Sequence, residues 1–212
     1  MKKNQKLFFC GVSLLVSFVS WTILVDFVDV RAIGPQSSEV GLSTLNQFVQ
    51  ESIGVNMALY AVTDWLSLIP LGAVVGFAVL GLVQLIKRRS ILLVDKDIIF
   101  LGVFYVAVTT VYITFELIVI NYRPVLINGC LEASYPSSTT VLVLCVMLTA
   151  AMQFKRRIKN KTIRTVALTA ISFFVAFMMI GRVLSGVHWI TDIIGGVLIS
   201  ASLLTLYYSI NR

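Results

Sequence analysis

Gly181-Arg182-Val183-Leu184-Ser185-Gly186-Val187-His188-Trp189-Ile190-Thr191-Asp192 sits where two apolar runs, 165–184 and 189–209, nearly merge. It sets an Arg, the one His of the chain and an Asp at spacings of six and four. Such groups are expensive at a membrane boundary, so they mark a functional site. Residues four apart on a helix share a face. The spacing therefore predicts that Asp192 holds one ring nitrogen of His188 and leaves the other free to attack, a nucleophile with its orienting group.

The composition around this stretch is that of an integral membrane protein. Of 212 residues, 58% are hydrophobic and 13% charged, and the mean hydropathy is +0.94. A soluble domain is typically about 45–50% apolar and about 25% charged. One domain, 1–212, is the natural division. The net charge of +7 lies in short basic clusters between apolar segments, a pattern of membrane topology rather than of a phosphate-tracking groove. No nucleic-acid partner is expected. Cys10, Cys130 and Cys145 fit no metal or disulfide spacing.

Six segments, near 7–28, 65–86, 98–120, 137–154, 165–184 and 189–209, are long enough or nearly so to cross the hydrocarbon layer as helices. The expected fold is an all-α, six-span transmembrane bundle. Lys2, Lys3 and Lys6 precede the first span, and Lys87-Arg88-Arg89 follows the second. Lys155-Arg156-Arg157, Lys159, Lys161 and Arg164 separate the fourth and fifth, and Arg212 ends the sequence. Of 17 basic residues only Arg31, Arg123 and Arg182 fall on the opposite side. The positive-inside rule then predicts cytoplasmic termini and a site facing outward from the plasma membrane. Met1-Lys2-Lys3 before an apolar run also has the form of a secretory signal, but no small-residue cleavage site follows, which favours an uncleaved anchor.

The outer loop 30–64 is mixed in character, and 44–61 reads as an amphipathic helix on the membrane surface. Trp21, Trp65, Trp189, Tyr60 and Tyr122 read as interfacial belt residues, with Tyr207 and Tyr208 on the inner face. Gly72-Ala73-Val74-Val75-Gly76 is a small-xxx-small pattern expected to pack helices.

Three outer-side features converge within 116–192. Arg123-Pro124 ends the third span, Tyr135-Pro136-Ser137-Ser138-Thr139-Thr140 opens the fourth, and Arg182, His188 and Asp192 bridge the last two. Two Arg side chains can fork onto phosphate oxygens, and Ser137 and Ser138 stand at a helix N-terminus suited to an anion. Arg182 taken alone would also fit snorkelling to the interface, and Glu116 a contact with headgroups.

With these residues in place the chain resembles the type 2 phosphatidate phosphatase and vanadium haloperoxidase superfamily, in its membrane lipid phosphatase branch. That family shows Lys-x6-Arg-Pro, Pro-Ser-Gly-His and Ser-Arg-x5-His-x3-Asp. Here Arg123-Pro124, Pro136-Ser137 and Arg182, His188 and Asp192 match. Glu116 stands at the Lys position, Ser138 at the Gly, Thr139 at the His and Gly181 at the Ser before the Arg. The resemblance implies that His188 attacks phosphorus to form a phosphohistidine, with Arg123 and Arg182 stabilising the equatorial oxygens. Ser137, Ser138 and Thr139 would complete the phosphate site. No metal or cofactor is implied.

The resemblance also implies a general acid at position 139, a task Thr139 cannot perform, and general acid catalysis is worth about 10²–10⁴ in rate. An alkoxide leaving group suffers most from that loss, and a phosphate leaving group least. The expected substrate is thus a lipid diphosphate, such as a polyprenyl diphosphate, ahead of a phosphatidate-type monoester. Glu116 and Glu132 are candidate replacement donors, since a carboxyl in apolar surroundings has a raised pKa. Two other functions fit the same scaffold: a transferase passing a phospho-headgroup to an acceptor hydroxyl, and a silent protein that binds or carries lipid phosphates. The expected partner is a membrane lipid, and the sequence says nothing of the oligomeric state.

Overall fold

The computed structural model describes residues 3–211. Met1, Lys2 and Arg212, which enter the charge and signal readings above, lie outside the described residues, as does the side chain of Lys3. Eight α-helices follow in order among the described residues: α1 Lys3–Phe27, α2 Ser43–Ile53, α3 Met57–Leu66, α4 Leu68–Arg88, α5 Lys96–Leu117, α6 Ser138–Arg157, α7 Lys161–Leu184 and α8 Ile190–Ile210. Among the described residues no strand forms, only isolated bridges in the loops. Six helical stretches among the described residues are long and apolar enough to cross a membrane, with α3 and α4 together forming the second, Met57–Arg88. At 1.5 Å per residue even the 20 residues of α6 reach about 30 Å. The protein is a multi-pass helical membrane protein.

The second span starts earlier than the sequence predicts, because the expected surface helix over 44–61 is two helices. Gly54, at φ 70°, ends α2 in a conformation that suits glycine. Asn56 then opens α3, its side chain accepting from the Leu59 N–H at 2.9 Å. Only α2 remains a short helix of the 30–64 segment, while α3 turns into the second span. Pro70 has no N–H for the carbonyl of Leu66, four residues back, which accounts for the break between α3 and α4.

Burial is unequal among the spans, and it identifies the centre. In the most apolar stretch of α6, 56% of residues are buried, against 11% for α7 and for the second span. α6 buries polar Thr149 and Gln153 on its inward face, while Phe173 and Val75 on the outer spans are exposed to lipid. Since lipid is as apolar as these side chains, close packing and hydrogen bonds hold the bundle instead. α1 lies along α8, where a Cβ on Gly11 would stand 2.7 Å from Leu206 and Ser202 donates to the Gly11 carbonyl at 2.9 Å. α8 meets the segment before α6 at Gly195 and Gly196, where an added Cβ would come within 2.6 Å of the Tyr135 ring and 2.9 Å of Thr140.

At the end of the bundle away from His188, Asp95 joins Arg88 at 2.8 Å and Arg157 at 3.1 Å, and Arg157 also reaches Asp97 at 2.9 Å. Hydrogen bonds from Arg88, and then from Arg157 and Gln84, hold the Asp95 carboxyl below its ordinary value despite partial desolvation.

Several belt and packing expectations are corrected. Trp189 is buried and donates its ring N–H to the Tyr122 carbonyl at 2.7 Å. Trp21 donates to the Thr191 carbonyl at 3.1 Å, and Tyr207 packs inside against Phe104 with ring centroids 4.9 Å apart. A Cβ added at Gly72 or Gly76 would meet nothing within 4 Å, so this glycine pair packs no helix within the described chain.

Candidate active site

Between α5 and α6 the chain makes a hairpin-like excursion. Asn128 and Gly129, at φ 51° and 79°, form its two-residue turn, as Asn-Gly favours. Ile127 and Cys130 exchange backbone hydrogen bonds at 3.0 and 2.9 Å. The returning arm brings Arg123 opposite Glu132, N–H to carbonyl 3.0 Å, and Asn121 opposite Ser134 at 2.9 Å. On the other side, α7 ends at Leu184, and Gly186 at φ 62° turns the chain so that His188 faces inward.

The predicted residues meet here. Arg182, His188, Asp192 and Arg123 are 1%, 4%, 0% and 8% exposed. Nε2 of His188 lies 2.9 Å from Arg182 NH2 and 3.3 Å from Arg123 NH1. A guanidinium can only donate, so Nε2 is the unprotonated nitrogen and the ring proton sits on Nδ1. Nδ1 lies 3.1 Å from Ser134 Oγ, and the Ser134 hydroxyl donates to the Asp192 carboxylate. The ring is thus held by a relay, Nδ1–H to Ser134 to Asp192.

This corrects the expected direct contact. Asp192 Oδ2 is 3.7 Å from Nδ1, too long for a hydrogen bond. The shared helical face does not exist, because His188 precedes α8, which starts at Ile190. Asp192 instead sits in the first turn of α8, accepting from the Trp189 N–H at 2.9 Å and from Asn121 Nδ2 at 3.4 Å. Burial first, and then the two neighbouring arginines, push the His188 pKa well below its ordinary value, so the imidazole is neutral at pH 7.

The remaining expected residues divide. The Ser137 N–H donates to the Asp192 carbonyl at 3.0 Å, and its hydroxyl accepts from Thr140 at 3.0 Å. Ser138 opens α6, whose first N–H groups have no partner within the helix. Ser138 and Thr139 line a cavity of about 460 Å³ together with Ser134, Glu116, Asp64 and Tyr112. Among the described residues no hydrogen bond joins Ser137, Ser138 or Thr139 to His188 or to either arginine. Glu132 lies 3.1 Å from Arg123 Nε, in an ion pair without hydrogen-bond alignment. Among the described residues the buried Nε atoms of Arg123 and Arg182 have no hydrogen-bond acceptor.

Ser134, Asn121, Tyr60 and Thr63 join the site without having been anticipated. Extended straight back from Ile127 and Cys130, the Asn128-Gly129 hairpin would pair Arg123 with Ser134. The arms slip by two residues, so the observed pairing of Asn121 with Ser134 was not legible. Tyr60, read as a belt residue, lies under both guanidinium groups at 5.9 Å from Arg123 and 5.2 Å from Arg182. Nothing in its spacing announces this. Among the described residues no group of three or more His, Cys, Asp or Glu side chains is placed to hold a metal.

A neutral imidazole aimed at two buried cationic forks, with spare N–H donors beside it, is chemically suited to an oxyanion. The fold is that of a six-span membrane protein. Residues 114–212, which contain all three motifs, match the sequence model of the PAP2 superfamily. The match falls on the region where the sequence resemblance to that superfamily placed its motifs. No curated protein sequence matches the chain at a significant level. Its fold is similar to that of the first transmembrane PAP2 type phosphatidylglycerolphosphate phosphatase from Bacillus subtilis, with a TM-score of 0.60 and 16% identity over 94% of this chain and 93% of that one. At that identity the likeness is one of fold.

Proposed function

We propose that this protein hydrolyses a phosphorylated lipid through a phosphohistidine on His188. The observation that carries this reading is Nε2, deprotonated and within 3.3 Å of two guanidinium groups, with its opposite nitrogen fixed through Ser134. Nε2 attacks phosphorus as the bond to the leaving oxygen breaks, and water then takes the phosphoryl group from the histidine. Arg123 and Arg182 carry the charge that spreads over the equatorial oxygens, the main task in such transfers. The Arg182 Nε–H, buried without an acceptor among the described residues, is a donor to spare for those oxygens. First-turn N–H groups at Ser138 and Thr139 add a favourable dipole. The superfamily region and the solved phosphatase of like fold are consistent with a lipid phosphate as substrate.

Thr139 leaves the leaving group without a strong acid. The reading therefore favours a lipid diphosphate, whose departing phosphate needs no proton, over a monoester. Glu116 is the candidate donor where one is needed, because it shares the cavity with Ser134 and Thr139, while Glu132 holds Arg123. The charge asymmetry of the loops supports a site facing outward from the plasma membrane. The test is phosphate release in detergent from matched lipid mono- and diphosphates, beside His188→Ala. Release from the diphosphate that His188→Ala abolishes supports the reading. Faster release from the monoester removes the diphosphate preference, and release unaffected by His188→Ala removes the mechanism.

A further inference from the structure

We infer that α3, through Tyr60 and Thr63, sets the position of the two arginines and so the affinity of the site for an oxyanion. The inference rests on the reading of Arg123 and Arg182 as a phosphate clamp. Both guanidinium groups reach one atom, Nε2 of His188, at 2.9 and 3.3 Å. Two like charges this close repel strongly where water is excluded, and no carboxylate hydrogen-bonds to Arg182 among the described residues. What the two share is the Tyr60 ring, 5.2 and 5.9 Å from their central carbons. Both distances fall inside the range where the negative face of an aromatic ring attracts a cation. Among the described residues the Tyr60 hydroxyl makes no hydrogen bond, so the ring face is the working part.

Thr63 lies one turn further along α3. Its hydroxyl donates back to the Tyr60 and Leu59 carbonyls at 2.9 and 3.0 Å, which leaves a lone pair for Arg182 NH1 at 3.4 Å. The approach needs Gly181. A Cβ there would stand 2.7 Å from the Thr63 methyl, so any larger residue pushes α3 away from the arginine that follows it. Gly181 is also where the third motif departs from the family pattern. The start of α3 is tied to the turn before His188, since the Asn56 N–H donates to the Ser185 carbonyl at 2.9 Å. Tyr60 and Thr63 are positioning residues: they act through the arginines rather than on the reacting atoms.

The test is binding of inorganic phosphate to the purified full chain in detergent, followed by thermal shift, with lipid-phosphate turnover measured alongside. Tyr60→Phe keeps the ring face and binds within about twofold of wild type, while Tyr60→Leu weakens binding about tenfold, in keeping with a desolvated cation–π contact. Gly181→Ala weakens binding too. Adding Thr63→Ser, which removes the clashing methyl and keeps the hydroxyl, restores it to within about threefold. The inference is overturned if Phe loses as much as Leu, if Leu binds like wild type, if Thr63→Ser restores nothing, or if wild type binds no phosphate. The expected binding pattern without turnover of any lipid phosphate removes the hydrolase reading and leaves this inference supported.

Discussion

Ser134 is the residue on which the histidine's orientation turns, since it carries the connection that Asp192 is too far away to make alone. Ser134→Ala removes the acceptor of Nδ1–H and one donor to a fully buried carboxylate. Leaving such groups unsatisfied costs about 1–3 kcal/mol, so kcat is expected to fall about ten- to hundredfold. Steady-state kinetics on the purified variant check this, and an unchanged kcat speaks against the relay. The burial and the two arginines that depress the His188 pKa also set a pH dependence. The imidazole stays unprotonated below its ordinary 6.5, so the acid limb it contributes to kcat/KM lies below pH 6.5. Arg123→Gln removes one positive neighbour and moves that limb upward. For stability the sign is equally definite. The unfolded chain binds the proton first as pH falls, so the contribution of His188 is lost from about pH 6.5 downward to the folded-state pKa.

The helices were legible in proportion to how apolar and uninterrupted they are. All six spans follow from hydropathy, and the start of α6 at Ser138 is within one residue of its predicted place. The second span was misplaced because Met57–Leu66 looks amphipathic, and only the Gly54 turn and the Asn56 cap separate α3 from α2. The functional pair on α3 was hidden for the same reason. Aromatic residues near a span end satisfy the belt rule equally well whether they face lipid or a guanidinium. Arg123, Arg182, His188 and Asp192 were legible because buried charge in an apolar chain is rare. Ser134 and Thr63 were not, because hydroxyl residues abound in loops and spans alike. One close contact at this scale is between α8 and the segment before α6. Gly195→Ala drives a methyl to 2.6 Å from the Tyr135 ring, and overpacking of this kind costs about 1–3 kcal/mol. Thermal unfolding in detergent is expected to show a lowered Tm, whereas Gly72→Ala, with open space around it, leaves Tm unchanged or slightly higher. Equal Tm values for the two variants would contradict the packing described.

As a whole the molecule separates two ends. One gathers Arg88, Asp95, Asp97 and Arg157 into ion pairs, and the other gathers the motifs around His188. The proposed orientation puts the second end outside, and the chain carries its own probe for it. Cys130 is exposed in the turn beside the site, while Cys145 is buried and Cys10 lies on α1 within the first span. A membrane-impermeant maleimide is expected to label Cys130 on intact cells. Labelling that appears only after permeabilisation would reverse the orientation. The central claim is the covalent one: His188 Nε2 takes the phosphoryl group. The most direct measurement is rapid quenching of the protein with a phosphorus-labelled lipid diphosphate, followed by mapping of the labelled peptide. An acid-labile, alkali-stable phosphate on His188, absent from His188→Ala, is the predicted result. Turnover with no phosphate on His188, or label that persists in His188→Ala, would contradict the account.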